Sequence, residues 1–259
     1  MSVRGGADDD VRRELDRQAD ARASLMIRWD DVARAIREIS GLRPTDRVLD
    51  VACGDGLLAF ELAPHCAYVR GVDLSDSMIA LAAERTIESG VPNVSFQVGT
   101  VETLEFEDAS FDRVYCRLGL HHFAEPRVAL NEMIRVVKKP GHIILADLVS
   151  SEDPARRDAH NRIEKSRDPT HVAMLSPRQM RALVAESGLS LEREVMWETR
   201  RRFNDWMRLI GADKGRIDRT RRLMLEAARR GSTDLKISGG GNSLEFSHRW
   251  MVMLTLALA

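Results

Sequence analysis

The segment 48–63, VLDVACGDGLLAFELA, constrains the fold more than any other part of the sequence. It has the pattern of a buried strand, a turn of small residues and a short helix. Gly54 and Gly56 in the turn carry no Cβ atom, so their backbone N–H groups can approach a ligand closely. The first turn of the following helix favours negatively charged groups. The segment therefore predicts a strand–turn–helix unit whose turn is a candidate binding site.

Strands and helices alternate in the residues that follow. Such alternation is typical of an α/β fold in which parallel strands are joined by crossover helices on both faces of a doubly wound sheet. Two further strand patterns, 191–199 and 244–254, come late in the chain. The alternating part predicts strands at 47–51, 68–72, 94–98, 111–116 and 142–147.

No linker or internal repeat divides the 259 residues, so a single domain, 1–259, is expected. The Gly- and Asp-rich segment 1–10 is predicted to be disordered. Helical patterns in 11–40 and 197–230 are predicted to form a cap over one end of the sheet, where the active site is expected.

An acidic residue ends the second predicted strand. Asp73 lies in GVDLS, where a carboxylate can accept hydrogen bonds from both hydroxyls of a ribose. Ligands of open α/β sheets bind outside the carboxyl ends of the strands, which is also the edge of the glycine turn. The order of strand, turn, helix, strand and acid favours a ligand-binding turn over a merely structural one.

The turn also fits a dinucleotide pattern, Gly54-x-Gly56-x-x-Ala59. Asp50 at the strand end argues against it, because a carboxylate there would repel a pyrophosphate but would suit an ammonium group. The loop between the strand and the first glycine is also longer than in dinucleotide turns. An NAD-dependent oxidoreductase therefore stays open as a less favoured alternative.

Four motifs occur in order: VLDVACGDG (48–56), GVDLSDSMIALAAER (71–85), VGTVETLEFEDASFDRVYCRLGLHHF (98–123) and EMIRVVKKPGHIILAD (132–147). The set resembles class I S-adenosylmethionine-dependent methyltransferases, of the branch containing the ubiquinone/menaquinone methyltransferases and related small-molecule enzymes. The resemblance implies a Rossmann-like, seven-stranded, mostly parallel sheet whose last strand runs antiparallel beside 191–199. It also implies that S-adenosyl-L-methionine is the cofactor and that a small molecule accepts its methyl group.

The resemblance implies roles for five residues around the methionine and ribose parts of the cofactor. Asp50, Ala52 and Gly54 would hold the methionine end, and Ala52 replaces a frequent glycine. Asp73 would bind the ribose hydroxyls. Arg117 begins the loop that flanks the methionine carboxylate and the reacting methyl group.

Five more positions match the adenine site of the family. Leu74 and Met78 would pack on the adenine, and Val101 would offer its backbone to the ring. Gly99 and Thr100 stand where the family usually has Gly-Asp. The carboxylate that accepts from the adenine amino group is thus replaced by a hydroxyl, which is a weaker acceptor.

Methyl transfer from a sulfonium is an in-line displacement, in which the protein mainly aligns the reacting groups. A hydroxyl or amine acceptor also needs a base, and histidine titrates closest to neutral pH. The candidates are His171, in the segment RDPTH, and the pair His121–His122 after the fourth strand. For His122 a structural role is favoured, whereas for His121 and for His171 a structural role and a role in catalysis or substrate contact are equally favoured.

Charge and composition exclude other classes. The net charge of −1 provides no basic surface for nucleic acid. No apolar run approaches the ~20 residues of a membrane span. The three cysteines form no CxxC pair, so neither a metal site nor a disulfide framework is expected. A cytoplasmic location is expected for such a chain.

The resemblance leaves the acceptor open, with a secondary metabolite or a quinone-like ring as the expectation. One alternative is a reaction without methylation on the same scaffold, such as cyclisation. Another is a partner-binding role without catalysis. The oligomeric state is also open, with a homodimer as one option.

Overall fold

A seven-stranded sheet organises the computed structural model, which describes residues 4–23 and 30–258. The strand order is β3-β2-β1-β4-β5-β7-β6, in which β1 to β5 are parallel and β7 runs antiparallel to both its neighbours. The predicted sheet and its antiparallel last strand are therefore confirmed. The strands are β1 (Arg47–Val51), β2 (Tyr68–Asp73), β3 (Val94–Val98), β4 (Phe111–Arg117), β5 (Val137–Val149), β6 (Ser190–Arg202) and β7 (Glu245–Ala257).

Helices cover both faces of the sheet because its central strands alternate apolar side chains between two cores. Leu49 and Val114 face one core and Val48 and Tyr115 face the other. The helices are α1 (Arg4–Ala23), α2 (Asp30–Ser40), α3 (Leu57–Leu62), α4 (Asp76–Ser89), α5 (Pro126–Val136), α6 (Pro154–Arg167), α7 (Pro177–Glu186), α8 (Phe203–Arg208) and α9 (Lys214–Arg230).

A third apolar cluster lies over the carboxyl ends of the strands. It joins Ile163 of α6, Trp206 of α8 and Met224 of α9 to Phe246 of β7. The first helix, α1, packs against α4 at the same end. This cluster is separate from the two cores of the sheet, and its helices correspond to part of the predicted cap.

The structure departs from the predicted boundaries in two places. The segment 1–10, predicted to be disordered, is helical from Arg4, and residues 1–3 lie outside the described residues. Asp10 and Arg13 pair across three positions of this helix, a spacing that stabilises it. The predicted continuous helical pattern of 11–40 is described as α1 and α2, and residues 24–29 between them lie outside the described residues.

The cap segment 197–230 begins with the end of β6, which extends the predicted strand 191–199 to Arg202. β6 continues to Arg202 because every residue from Trp197 onward pairs with β7. The Trp197 ring stacks on Trp250 of β7 at 5.9 Å between centroids, which holds this end of the strand in the sheet. The helical part of the cap therefore starts at Phe203. Within residues 4–23 and 30–258, no helix is long and apolar enough to cross a bilayer.

Candidate active site

A cavity of 390 Å³ lies at the carboxyl edge of β1, β2 and β4. Its wall includes the glycine turn after β1, the end of β2 and the end of β4. Among the predicted cofactor residues, Asp50 is the one that does not line it, because it lies inside β1. The predicted residues that do line it are Ala52, Gly54, Asp73, Leu74, Met78, Gly99, Thr100, Val101 and Arg117.

The glycine turn is held in a left-handed conformation. The φ angles are 55° at Ala52, 53° at Gly54 and 81° at Gly56. A Cβ atom at Gly56 would lie 2.7 Å from the ring of Phe96, so only glycine fits there. Ala52 adopts a conformation that is uncommon for residues other than glycine. The turn thereby exposes its backbone to the cavity.

The Asp73 carboxylate is fixed by the backbone on both sides. Its Oδ2 atom accepts from the Gly54 N–H at 2.8 Å, and its Oδ1 atom accepts from the Ser75 N–H at 3.0 Å. Burial raises the pKa of Asp73, although these two donors oppose the shift. Each oxygen retains a further lone pair. The carboxylate is thus positioned at the cavity wall to accept from a diol.

Asp50 and Arg117 each keep a buried polar atom without a partner. Oδ2 of Asp50 and Nη1 of Arg117 have no hydrogen bond among the described residues. Burial raises the pKa of Asp50 to about 7, against the opposing effect of Arg117. Burial also lowers the pKa of Arg117, although Asp50 opposes that shift. Buried polar groups are normally paired, so these atoms fit a ligand that carries both an ammonium and a carboxylate.

The loop after β3, where the adenine is expected to bind, carries a carboxylate next to Thr100. Thr100 Oγ1 is hydrogen-bonded to Glu102, and both side chains line the cavity. Glu102 therefore places an acidic group two residues after the position where the family has aspartate.

The three predicted histidines are close together but differ in access. The ring of His121 lies 4.2 Å from that of His122 and 5.5 Å from that of His171, measured between centroids. His121 and His122 line the cavity, whereas His171 does not. His171 is 2% exposed, and its Nε2 atom lies 2.8 Å from Asn161 Oδ1. The position of His171 does not support the predicted role of base, because its ring nitrogen is engaged away from the cavity.

His121 is paired with a buried carboxylate at the end of β5. Its Nδ1 atom lies 2.7 Å from Oδ1 of Asp147, which is 2% exposed. The other oxygen of Asp147 accepts from the His121 backbone N–H at 3.3 Å. An Nδ1–H bond to a carboxylate leaves Nε2 as the basic nitrogen of the ring. Asp147 was not singled out from the sequence, since 26 residues separate it from His121.

The three histidines also differ in the direction in which their pKa values are shifted. Burial lowers the pKa of His121, but Asp147 outweighs that effect and the pKa is raised overall. Burial, with the neighbouring His121, lowers the pKa of His122 to about 4 and that of His171 to about 3. His122 Nδ1 also faces the Thr170 carbonyl at 3.2 Å, which supports the structural role favoured for it. His121 is thus the most basic of the three.

The remaining wall comes from segments outside the four motifs. Gln18 Nε2 of α1 donates to Asp168 Oδ2 at 3.1 Å, which ties α1 to the end of α6. The Arg167 guanidinium lies 4.7 Å above the Trp206 ring. Further wall residues from these segments are Val11, Leu15, Arg22, Glu164, Val172, Met174, Arg201, Leu209, Ile210, His248 and Trp250.

Comparisons with known proteins agree with this geometry. Residues 49–145 match the methyltransferase domain family. The uncharacterized methyltransferase YcgJ of Bacillus subtilis is 34% identical over 174 residues, which cover 67% of this chain and 69% of that protein. Its crystal structure has a TM-score of 0.81 at 28% identity and covers 88% of this chain and 99% of its own. A demethylmenaquinone methyltransferase of Clavibacter sepedonicus is 28% identical over 179 residues, 69% of this chain and 68% of that protein.

Proposed function

The chain belongs to the class I S-adenosylmethionine-dependent methyltransferases, and we propose that it methylates a small molecule by in-line displacement, with His121 as general base. The observation that carries the base assignment is the His121–Asp147 pair at the cavity wall. When bound, S-adenosylmethionine supplies a methyl group already activated by its sulfonium.

The cofactor is held by the residues around the glycine turn. Asp73 accepts hydrogen bonds from the ribose hydroxyls with the lone pairs that the backbone leaves free. Arg117 at the cavity wall would pair with the carboxylate of the methionine part, and Asp50, which lies inside β1 next to the wall, would attract its ammonium group; each has a buried atom without a partner. Glu102 and Thr100 face the adenine amino group, while Leu74 and Met78 pack against its ring.

His121, which lines the cavity, would take up the proton that a hydroxyl or amine acceptor loses on methylation, with S-adenosylhomocysteine as the leaving group. Asp147 holds the ring by Nδ1 and stabilises the imidazolium that forms. Residues of α1 and α8, among them Gln18 and Trp206, contribute to the cavity wall. This role requires an acceptor that carries a hydroxyl or amine group.

The cavity favours a small acceptor over a macromolecule. It is enclosed by α1 and the cap helices and is lined by the aromatic rings of Phe123, Trp206 and Trp250. Enclosed, partly aromatic cavities of this kind are typical of small-molecule sites. The relative from Clavibacter sepedonicus acts on demethylmenaquinone, which is a small quinone-type molecule.

The proposed function is tested by titration of the protein with S-adenosylhomocysteine, with NAD as the control ligand. We expect saturable binding of S-adenosylhomocysteine and none of NAD, because the Asp50 carboxylate would attract an ammonium group and repel a pyrophosphate. A screen of small acceptors by mass should then find products heavier by one methylene. Turnover without that gain would favour a non-methylating reaction, and binding of NAD alone would favour the oxidoreductase alternative.

Asp147→Asn is expected to move the acid side of the kcat profile to lower pH. His121 must be neutral to act as base, so the native rate falls as the pH drops through its raised pKa. Without the carboxylate, burial dominates and the pKa of His121 falls below its ordinary value, although Glu164 and Asp168 still face the ring. His122 and His171, with pKa values of about 4 and about 3, stay neutral over this range.

The measurement for this variant is the pH dependence of kcat, with Asp108→Asn as the control. Asp108 is a mostly exposed carboxylate on a distant loop, where it pairs with Arg135. If the pH profile of kcat is the same in Asp147→Asn as in the control, His121 is not the general base.

A further inference from the structure

Three buried side chains of metal-binding type meet where α6 crosses β7, and the proposed methyl transfer uses none of them. His160 and Glu164 lie on α6, and His248 lies on β7. Their side chains are 6%, 4% and 2% exposed. Glu164 Oε1 lies 3.4 Å from His160 Nε2 and 2.8 Å from His248 Nε2. The ligand atoms of all three lie within 4.8 Å of one another.

The backbone fixes this arrangement. His160 and Glu164 are four residues apart on a helix and therefore project from the same face. Asp153 caps the start of α6 by accepting from the Arg156 N–H at 3.0 Å. The ring of His248 packs against Phe246, with its centroid 4.8 Å away. The three donors are thus held by two elements that packing has already positioned.

A hydrogen-bonded network explains only part of the cluster. The contact between His248 and Glu164 has the length of a hydrogen bond. The buried Nε2 atom of His160, in contrast, has no hydrogen-bond partner among the described residues, although Glu164 lies 3.4 Å away. In a tetrahedral zinc site with bonds of about 2.0–2.1 Å, neighbouring ligand atoms are separated by about 3.4 Å. An ion would therefore give the His160 nitrogen the partner that the protein does not supply.

We propose that His160, Glu164 and His248 bind a divalent transition metal ion of the zinc type. Two imidazoles and one carboxylate are ligands that zinc favours, and three protein ligands leave a fourth position open. Glu164 and His248 line the active-site cavity, and His160 lines a neighbouring cavity of 400 Å³. The ion lies between the two cavities, where water can complete its coordination. The sequence did not point to this site because 84 residues separate Glu164 from His248.

The experiment titrates the full-length, chelator-treated protein, carrying no histidine tag, with Co²⁺ and with Zn²⁺. The native protein should bind one equivalent and give the visible absorption of tetrahedral Co²⁺, which Zn²⁺ then displaces. His160→Ala should weaken Co²⁺ binding by about 100-fold or more, since loss even of groups behind the ligands costs 10- to 100-fold. His142→Ala is the matched control, because His142 also faces a glutamate, Glu192 at 3.1 Å, but at the surface.

A native protein without stoichiometric Co²⁺ or Zn²⁺ binding would overturn the proposal without any variant. Equal Co²⁺ absorption in His160→Ala and His142→Ala would overturn it as well. Titration with S-adenosylhomocysteine in both variants monitors folding, since His160 does not line the active-site cavity. Cofactor binding without metal binding would reject the metal site and leave the proposed methyl transfer intact.

Discussion

Replacement of Asp73 by asparagine is expected to weaken S-adenosylhomocysteine binding by about 100-fold or more. In the proposed complex the carboxylate accepts from both ribose hydroxyls while it also holds the Gly54 and Ser75 N–H groups. Asparagine has a single acceptor oxygen, so two charge-assisted bonds of about 1.5 kcal/mol each are lost or weakened. Their sum of about 3 kcal/mol corresponds to a factor of about 100 in affinity.

Calorimetric titration of the Asp73 variant measures this loss, with Asp108→Asn as the control at a distant, mostly exposed carboxylate. Thermal unfolding of both variants separates a local loss of affinity from a loosened fold, because Asp73 also anchors the glycine turn. Native affinity in Asp73→Asn would mean that the ribose is bound elsewhere in the cavity.

Replacement of His121 by glutamine is expected to lower kcat by about 10²- to 10⁴-fold with a hydroxyl or amine acceptor. Glutamine keeps a polar side chain beside Asp147 but cannot take up the proton. S-adenosylhomocysteine affinity should stay close to the native value, because no proposed cofactor contact involves His121. Single-turnover kinetics with an acceptor from the mass screen provide the measurement.

His171→Gln is the matched comparison for this experiment. His171 lies beside His121 but does not line the cavity, so its replacement should change kcat much less. A larger fall in His171→Gln than in His121→Gln would reverse the assignment of the base. An equal loss of cofactor affinity in the two variants would show that these histidines stabilise the fold and do not take part in proton transfer.

The cofactor half of the site was readable from the sequence because its residues follow local rules. A parallel strand ends where its apolar run ends, so the position of Asp73 at the sheet edge followed from β2 alone. Gly54 and Gly56 lie in the short turn between β1 and α3, and both have positive φ angles, which glycine adopts readily. The roles of these residues toward the cofactor stay predictions.

The acceptor half could not be predicted in the same way. The partner of His121 is Asp147, and the two meet only because β4 and β5 pair in register. His171 occupies a promising motif, yet its ring turns to Asn161 on α6. The strand β6 runs past its predicted end at residue 199 to Arg202, because its cross-strand pairing with β7 continues that far.

The sequence by itself determined the alternating strands and helices and the edge at which the glycine turn lies, since apolar runs and glycine turns act within a few residues of one another, whereas the antiparallel last strand was implied by the resemblance to the family. Only the tertiary structure decided which histidine has a carboxylate and cavity access, how α1 closes the site, and that His160, Glu164 and His248 converge. Those contacts join residues far apart in the chain. Their distances depend on packing between elements, which local residue patterns do not encode.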